Sequence, residues 1–152
     1  MPGIVLRVVS KQSYTAPGFS GSTQTVYIVV ARAINIAQWR EGTLEVRVHE
    51  NSSLSSTANL YACAEAPTEE DPGQDFVLGF APPYTSAPSN PMATVAISSA
   101  TAGGLFYAPL NHPSLTTTYS NLGGFVRLVL GIPVPSAGTN TLVISVDLSL
   151  KS

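Results

Sequence analysis

Apolar and polar residues alternate along much of this chain with a period of two. Leu142, Ile144, Val146, Leu148 and Leu150 take every second position, and Val143, Ser145, Asp147, Ser149 and Lys151 fill the places between. A β-strand sends successive side chains to opposite faces, so this run predicts a strand with one face buried. Leu44, Val46 and Val48 repeat the pattern against Thr43, Glu45, Arg47 and His49. In a further strand Val126, Leu128, Leu130 and Ile132 share one face, with Phe125, Arg127 and Val129 opposite. Shorter or more apolar runs at 4–9, 26–34, 59–64, 76–80, 93–98 and 105–107 bring the expectation to about nine strands.

Between these runs stand residues that favour chain reversal. Pro17-Gly18, Glu41-Gly42, Pro72-Gly73, Pro82-Pro83, Gly103-Gly104, Gly123-Gly124 and Ala137-Gly138 supply a fixed or a positive φ. Twelve prolines spread over the chain leave no room for a long helix, and only 34–39 reads as a helical turn. Many short strands separated by turns predict an all-β fold with little or no helix. An antiparallel β-sandwich of jelly-roll-like type is expected, with the immunoglobulin-like variant and the strand order left open. Two stretches, 11–23 and 81–91, read as long loops. The second is rich in proline and serine, yet neither half of the chain alone would bury a good core, so residues 1–152 read as one domain.

Composition changes the picture at one point. Only 11% of the 152 residues are charged, against about 25% in ordinary domains. A net charge of -2 gives no electrostatic reason to expect nucleic acid as a partner. Few charges of either sign weaken protection against association, which suggests a surface covered by neighbours. A neutral surface rich in Ser and Thr, facing water, explains the same composition. One cysteine excludes an intrachain disulfide framework. The first residues carry no signal-peptide pattern, and no apolar run reaches the ~18 residues of a membrane span, so neither export nor membrane insertion is expected.

Candidate chemistry is sparse. Gly18-Phe19-Ser20-Gly21-Ser22 approaches the Gly-x-Ser-x-Gly elbow that exposes a strained nucleophile, but Ser22 stands where the last glycine belongs and no helix follows. A hairpin loop is the simpler reading. His49 lies on the polar face of its strand with Glu45 and Arg47, while His112 sits in the turn Asn111-His112-Pro113. Two separated histidines and Cys63 fall short of a zinc ligand set, so both histidines read as surface residues. Cys63, with no basic neighbour in sequence, reads as a partly buried, inert thiol. Glu65, Glu69, Glu70, Asp71 and Asp75 place five of nine acids in the stretch 65–75. Calcium favours oxygen ligands, but the spacing of an EF-hand loop is absent, so a solvated acidic loop is preferred to a calcium site or a contact for a basic partner. Asn51-Ser52-Ser53 matches a glycosylation sequon, which matters only in a secreted chain. Tyr14, Phe19, Trp39, Tyr84, Tyr107 and Tyr119 lie in or near loops. Such rings stack on sugars, and they also anchor loops over a core. No cofactor, catalytic or metal site is expected.

Three segments carry a resemblance. They are Trp39-Arg40-Glu41-Gly42-Thr43-Leu44-Glu45-Val46-Arg47-Val48, Tyr119-Ser120-Asn121-Leu122-Gly123-Gly124-Phe125-Val126-Arg127-Leu128, and the closing strand 141–150. Over about half its length the chain resembles β-sandwich virion proteins of tailed bacteriophages, the decoration and head- or tail-associated class. The resemblance is one of general pattern and carries over no functional residue. It implies a protein of the virion that works by being packed, as a homo-oligomer and against other capsid-type proteins, without turnover. The contrasting expectation is a carbohydrate- or ligand-binding sandwich acting as a monomer.

Overall fold

Eight strands are present in a computed structural model that describes residues 3–17, 25–52, 57–65, 87–88, 91–98, 103–111, 124–134 and 139–152. They are β1 (Gly3–Pro17), β2 (Thr25–Asn35), β3 (Glu41–Ser52), β4 (Ala58–Glu65), β5 (Ala93–Ile97), β6 (Leu105–Pro109), β7 (Phe125–Pro133) and β8 (Thr139–Lys151). All pairings are antiparallel. Among the described residues there is no helix. The expected ninth strand, 76–80, lies outside the described residues, as do most of 81–91.

The strands form two four-stranded sheets, ordered β1-β8-β3-β6 and β2-β7-β4-β5. The chain changes sheet between β1 and β2, β2 and β3, and β3 and β4, and again on entering β6, β7 and β8. Two interleaved Greek keys in two sheets define a jelly roll, which resolves the alternative that the alternation left open. β8 owes its strong alternation to its place between β1 and β3. Val146 faces Val9 on one side and Val46 on the other, and all three are buried.

The core lies between the sheets. Leu44, Val46 and Val48 of β3 and Leu142, Ile144, Val146, Leu148 and Leu150 of β8 enter it from one side. Leu60 and Ala62 of β4, Val95 and Ile97 of β5 and Val126, Leu128, Leu130 and Ile132 of β7 meet them from the other. Each large aliphatic side chain so buried stabilises the fold by about 1.5–3 kcal/mol relative to exposure. Gly131 in β7 is where Tyr27 crosses the strand: a Cβ there would meet the tyrosine ring at 3.0 Å.

Three sequence expectations are corrected. The expected loop 11–23 is strand as far as Pro17, because β1 stays paired with β8 from Gln12↔Ile144 to Pro17↔Thr139. Its alternation is broken by register shifts at Arg7/Val9 and Val9/Gln12, and Lys11 adopts a positive φ of 44°. A bulge of this kind takes an extra residue and scrambles the period-two signal. The helical turn expected at 34–39 is instead the end of β2 followed by a tight turn. There the Trp39 amide donates to Ile36 O at 3.1 Å and Asn35 Oδ1 accepts the Ala37 amide at 3.0 Å. The asparagine side chain takes a backbone donor that a helix would use. Glu41-Gly42, read as a turn, opens β3 in register with Lys151 and Leu150.

Candidate functional site

The two sheets turn very different outer faces away from the core. On the first, the register lines up Arg7, Asp147, Glu45 and Tyr107 in one row across β1, β8, β3 and β6. The Arg7 guanidinium donates to both carboxylate oxygens of Asp147, and this bonding keeps the arginine firmly in its charged form. Ser149 Oγ donates to Glu45 Oε2 at 3.3 Å. This face is polar, but it carries apolar side chains toward both edges: Val5 is 66% exposed on β1, and Leu105 and Tyr107 are 47% and 72% exposed on β6. On the second sheet the outer face is apolar and buried at its centre, while Thr94 and Ala96 of β5 are exposed. Cys63 and Val129 are fully buried at that centre with Tyr27, Val29 and Tyr61 packed against them, and Arg127 beside them is buried as well.

Ser145, on the first face, is the hub of a polar cluster that no spacing in the sequence announces. Its Oγ accepts the Lys11 amide at 2.9 Å and lies 2.8 Å from His49 Nε2. Both flanking strands bulge at this level, β1 between Val9 and Gln12 and β3 between Val48 and Glu50. A serine bonded to a histidine is the first half of an activated nucleophile. Here the hydroxyl is already held by a backbone amide and the serine is only 5% exposed, so the arrangement clasps the two bulges to β8.

The other sequence candidates are scattered. Cys63 is fully buried, not partly, because it sits at the buried centre of the second sheet's outer face. His49 is half-buried and bonded to Ser145 rather than lying open on the surface. Asn51 closes β3 opposite Leu142. Tyr14 points between the sheets at the β1 edge, Trp39 is 8% exposed in the core, and Tyr107 stands on the outside of the opposite edge. The structure therefore does not bring these three rings together. Gly18 to Ser22, His112, Phe19, Tyr84, Tyr119 and the acids beyond Glu65 lie outside the described residues. Among the described residues no three His, Cys, Asp or Glu side chains gather as metal ligands, and no helix is long and apolar enough to cross a membrane.

Among the described residues, hollows open at two places on the surface. One, about 300 Å³, lies between the edges of β1 and β2 and is lined by Val8, Val9, Tyr14, Val29 and Val30. The other, about 240 Å³, lies where β3, β6 and β8 meet, beside Arg40, Glu41 and Lys151. Burial pushes the Tyr14 hydroxyl above the ordinary tyrosine range, and burial likewise raises Tyr61. The neutral phenol is thus favoured by folding, and that stabilisation is complete below the unfolded value of about 10 and lost as pH rises through the folded values. Spectrophotometric titration should show these two phenols ionising late, with stability to urea declining above about pH 10.

The edges also differ. β1 and β2, which end the sheets on one side, each carry two register shifts with the same spacing: 7/9 and 9/12 in β1, 29/31 and 31/34 in β2. Each also holds a non-glycine residue at positive φ, Lys11 and Ala33. β5 and β6, on the other side, are five residues long and pair with no register shift.

No protein-family model matches the chain, and no curated protein matches it in sequence. Among solved structures it is similar to the decameric BFDV capsid protein, with a TM-score of 0.44 and 12% identity over 99% of this chain and 100% of that one. It is also similar to the infectious bursal disease virus VP2 subviral particle, at 0.47 and 14% over 98% of this chain but 32% of that one. The 60-mer BFDV capsid protein aligns at 0.41 and 11%, over 99% and 94%. Two of these are capsid proteins and one forms a subviral particle, and they do not single out tailed bacteriophages.

Proposed function

We propose that this chain is a non-catalytic structural subunit of a virion, acting through self-association and contact with other capsid-type proteins. The observation that carries this reading is the edge asymmetry of the jelly roll. One side of the sandwich is bulged, and the other presents a regular, uncharged strand with Leu105 and Tyr107 exposed. Native sheets blunt edges that must stay unpaired with bulges and charges; an edge without them is suited to pairing. The low charge content supports the same reading, since it leaves little repulsion to keep copies apart. The finer form of the proposal is a decoration or head- or tail-associated component, added to a shell built by another protein.

The test is the solution mass of the purified chain by light scattering over a wide concentration range. A mass that climbs to a defined multiple is expected. A strict monomer at every concentration, with no binding to a capsid-type partner, would sink the proposal and shift weight to a monomeric ligand-binding module. Electron microscopy of the assembled material separates a subunit that closes particles alone from one that only decorates.

A further inference from the structure

The backbone of β6 has a definite direction of bonding. Leu110 donates to Gly42 O at 2.8 Å and Val48 donates to Gly104 O at 2.9 Å. These residues extend the β3–β6 register, in which Thr43 faces Pro109 and Arg47 faces Leu105. Antiparallel partners alternate between hydrogen-bonded and non-bonded pairs. Hence Phe106 and Ala108 direct their N–H and C=O groups toward β3. Leu105 and Tyr107 direct theirs away from it, along the free edge. Pro109 also faces outward, where its missing N–H costs no ladder bond. The open edge of β6 therefore offers two complete donor–acceptor pairs and one carbonyl.

We propose that a second copy of this chain docks on this edge, β6 against β6, antiparallel about a two-fold axis at Phe106. The first sheets of the two copies then join into one continuous eight-stranded sheet. The inference rests on the self-association reading and names its contact surface. A two-fold contact is self-complementary, so the sequence of one edge has to satisfy itself.

Two independent features select the register. With Phe106 opposite Phe106 of the second copy, Leu105 faces Tyr107 of the second copy and Tyr107 faces its Leu105. All four outward N–H groups find carbonyls. A shift that sets Tyr107 against Tyr107 places Leu105 opposite Pro109, which has no N–H to give. Charge makes the same choice. Next to Leu105 in the sheet lies Arg47, and next to Tyr107 lies Glu45. In the chosen register each row across the joint reads Arg47, Leu105, then Tyr107 and Glu45 of the second copy. Opposite charges thus share a row three strand spacings, about 14 Å, apart at the backbone. Glu45 itself is held from the β8 side, where its carboxylate accepts the Ser149 hydroxyl, so the pairing acts at long range. The registers that set Tyr107 on Tyr107 or Leu105 on Leu105 place Glu45 against Glu45 or Arg47 against Arg47.

The five-residue edge is short, so each contact is weak and gains strength from being repeated in an assembly. Cross-linking reads such a contact directly. Leu105→Cys and Tyr107→Cys chains are prepared separately; both positions are exposed, and the native Cys63 is fully buried. A hydrogen-bonded antiparallel pair sets its Cα atoms about 5.5 Å apart, within disulfide reach. Under mild oxidation the mixture of the two variants is expected to form a covalent dimer, and each variant alone is not. As a second measure, Tyr107→Lys is expected to raise the concentration of half-assembly at least tenfold, with Val5→Lys on the opposite edge leaving it unchanged.

Self-cross-linking of Tyr107→Cys alone would overturn the register. Assembly of the unmodified chain without mixed cross-links, or a Tyr107→Lys chain that is folded by circular dichroism and assembles normally, would overturn the β6 contact while leaving self-association standing. A strict monomer with no cross-link at any concentration overturns both.

Discussion

Replacing Val146 by aspartate is expected to abolish folding, while the same change at Val5 leaves the protein folded. Val146 is fully buried at the centre of β8, with Val9 and Val46 as its neighbours in β1 and β3. Nothing polar faces it from either strand. A carboxyl group there must be neutralised, which raises its pKa by ~3–5 units at ~1.4 kcal/mol per unit. Loss of the apolar burial adds about 1.5 kcal/mol. The sum approaches the whole stability of a small domain, about 5–15 kcal/mol. Val5 lies on the outer face of the same sheet, 66% exposed, where an added carboxylate changes stability by roughly 0.5 kcal/mol or less. Circular dichroism and urea denaturation of the two variants measure the contrast. A folded Val146→Asp chain would contradict the assignment of the inner face.

Arg127→Ala is expected to cost about 3–5 kcal/mol, because it empties the volume of a large, fully buried side chain. Arg127 is fully buried on the outer face of the second sheet, opposite Cys63 in β4 and at the level where β2 bulges between Ala31 and Ile34. Arg127 is the first of the largest fully buried side chains and is not without an interaction partner, so truncation leaves both a cavity and a lost contact. Lysine should rescue little, since a single ammonium cannot reproduce the planar fork of donors. Methionine should recover part of the loss by filling volume without bringing a charge. Urea denaturation midpoints of Arg127→Ala, Arg127→Lys and Arg127→Met test that order, and a rescue by lysine equal to wild type would contradict it.

The faces of the strands were legible because period two is a local property. The runs around Val46, Leu128 and Val146 each state which residues go inward, and the structure buries them as expected. The neighbours of each strand were not legible. Alternation says nothing about which strand lies beside β8, and the jelly-roll order depends on pairings such as Gly3 with Lys151. Two one-residue bulges throw the residues around Val9 out of phase before the register recovers at Gln12, and the polar run Ser10 to Ser13 hid the second half of β1. The contact of Ser145 with His49 joins residues 96 positions apart and leaves no spacing to read. Arg127 was placed on the face away from the core, correctly, but burial of that face depends on what covers the second sheet. The exposed Tyr107 was visible as an aromatic near a turn. That it stands on an unbulged free edge follows only from the sheet order.

The place of β8 also governs the order in which the molecule can form. It separates β1 from β3, so until residues 139–151 exist the first sheet contains only the β3–β6 pair. On a ribosome β1 emerges first and then waits for the last described strand of the chain. Closing a loop of that length before any of its contacts are rewarded makes nucleation slow, as in other folds dominated by distant pairings. During that wait β1 is an unpaired strand in a crowded solution, the condition under which chains pair wrongly with one another. The bulge at Ser10 and Lys11 is defined against β8 and takes shape only when that strand arrives. One late strand thus decides both when the first sheet closes and when its irregular edge comes into being.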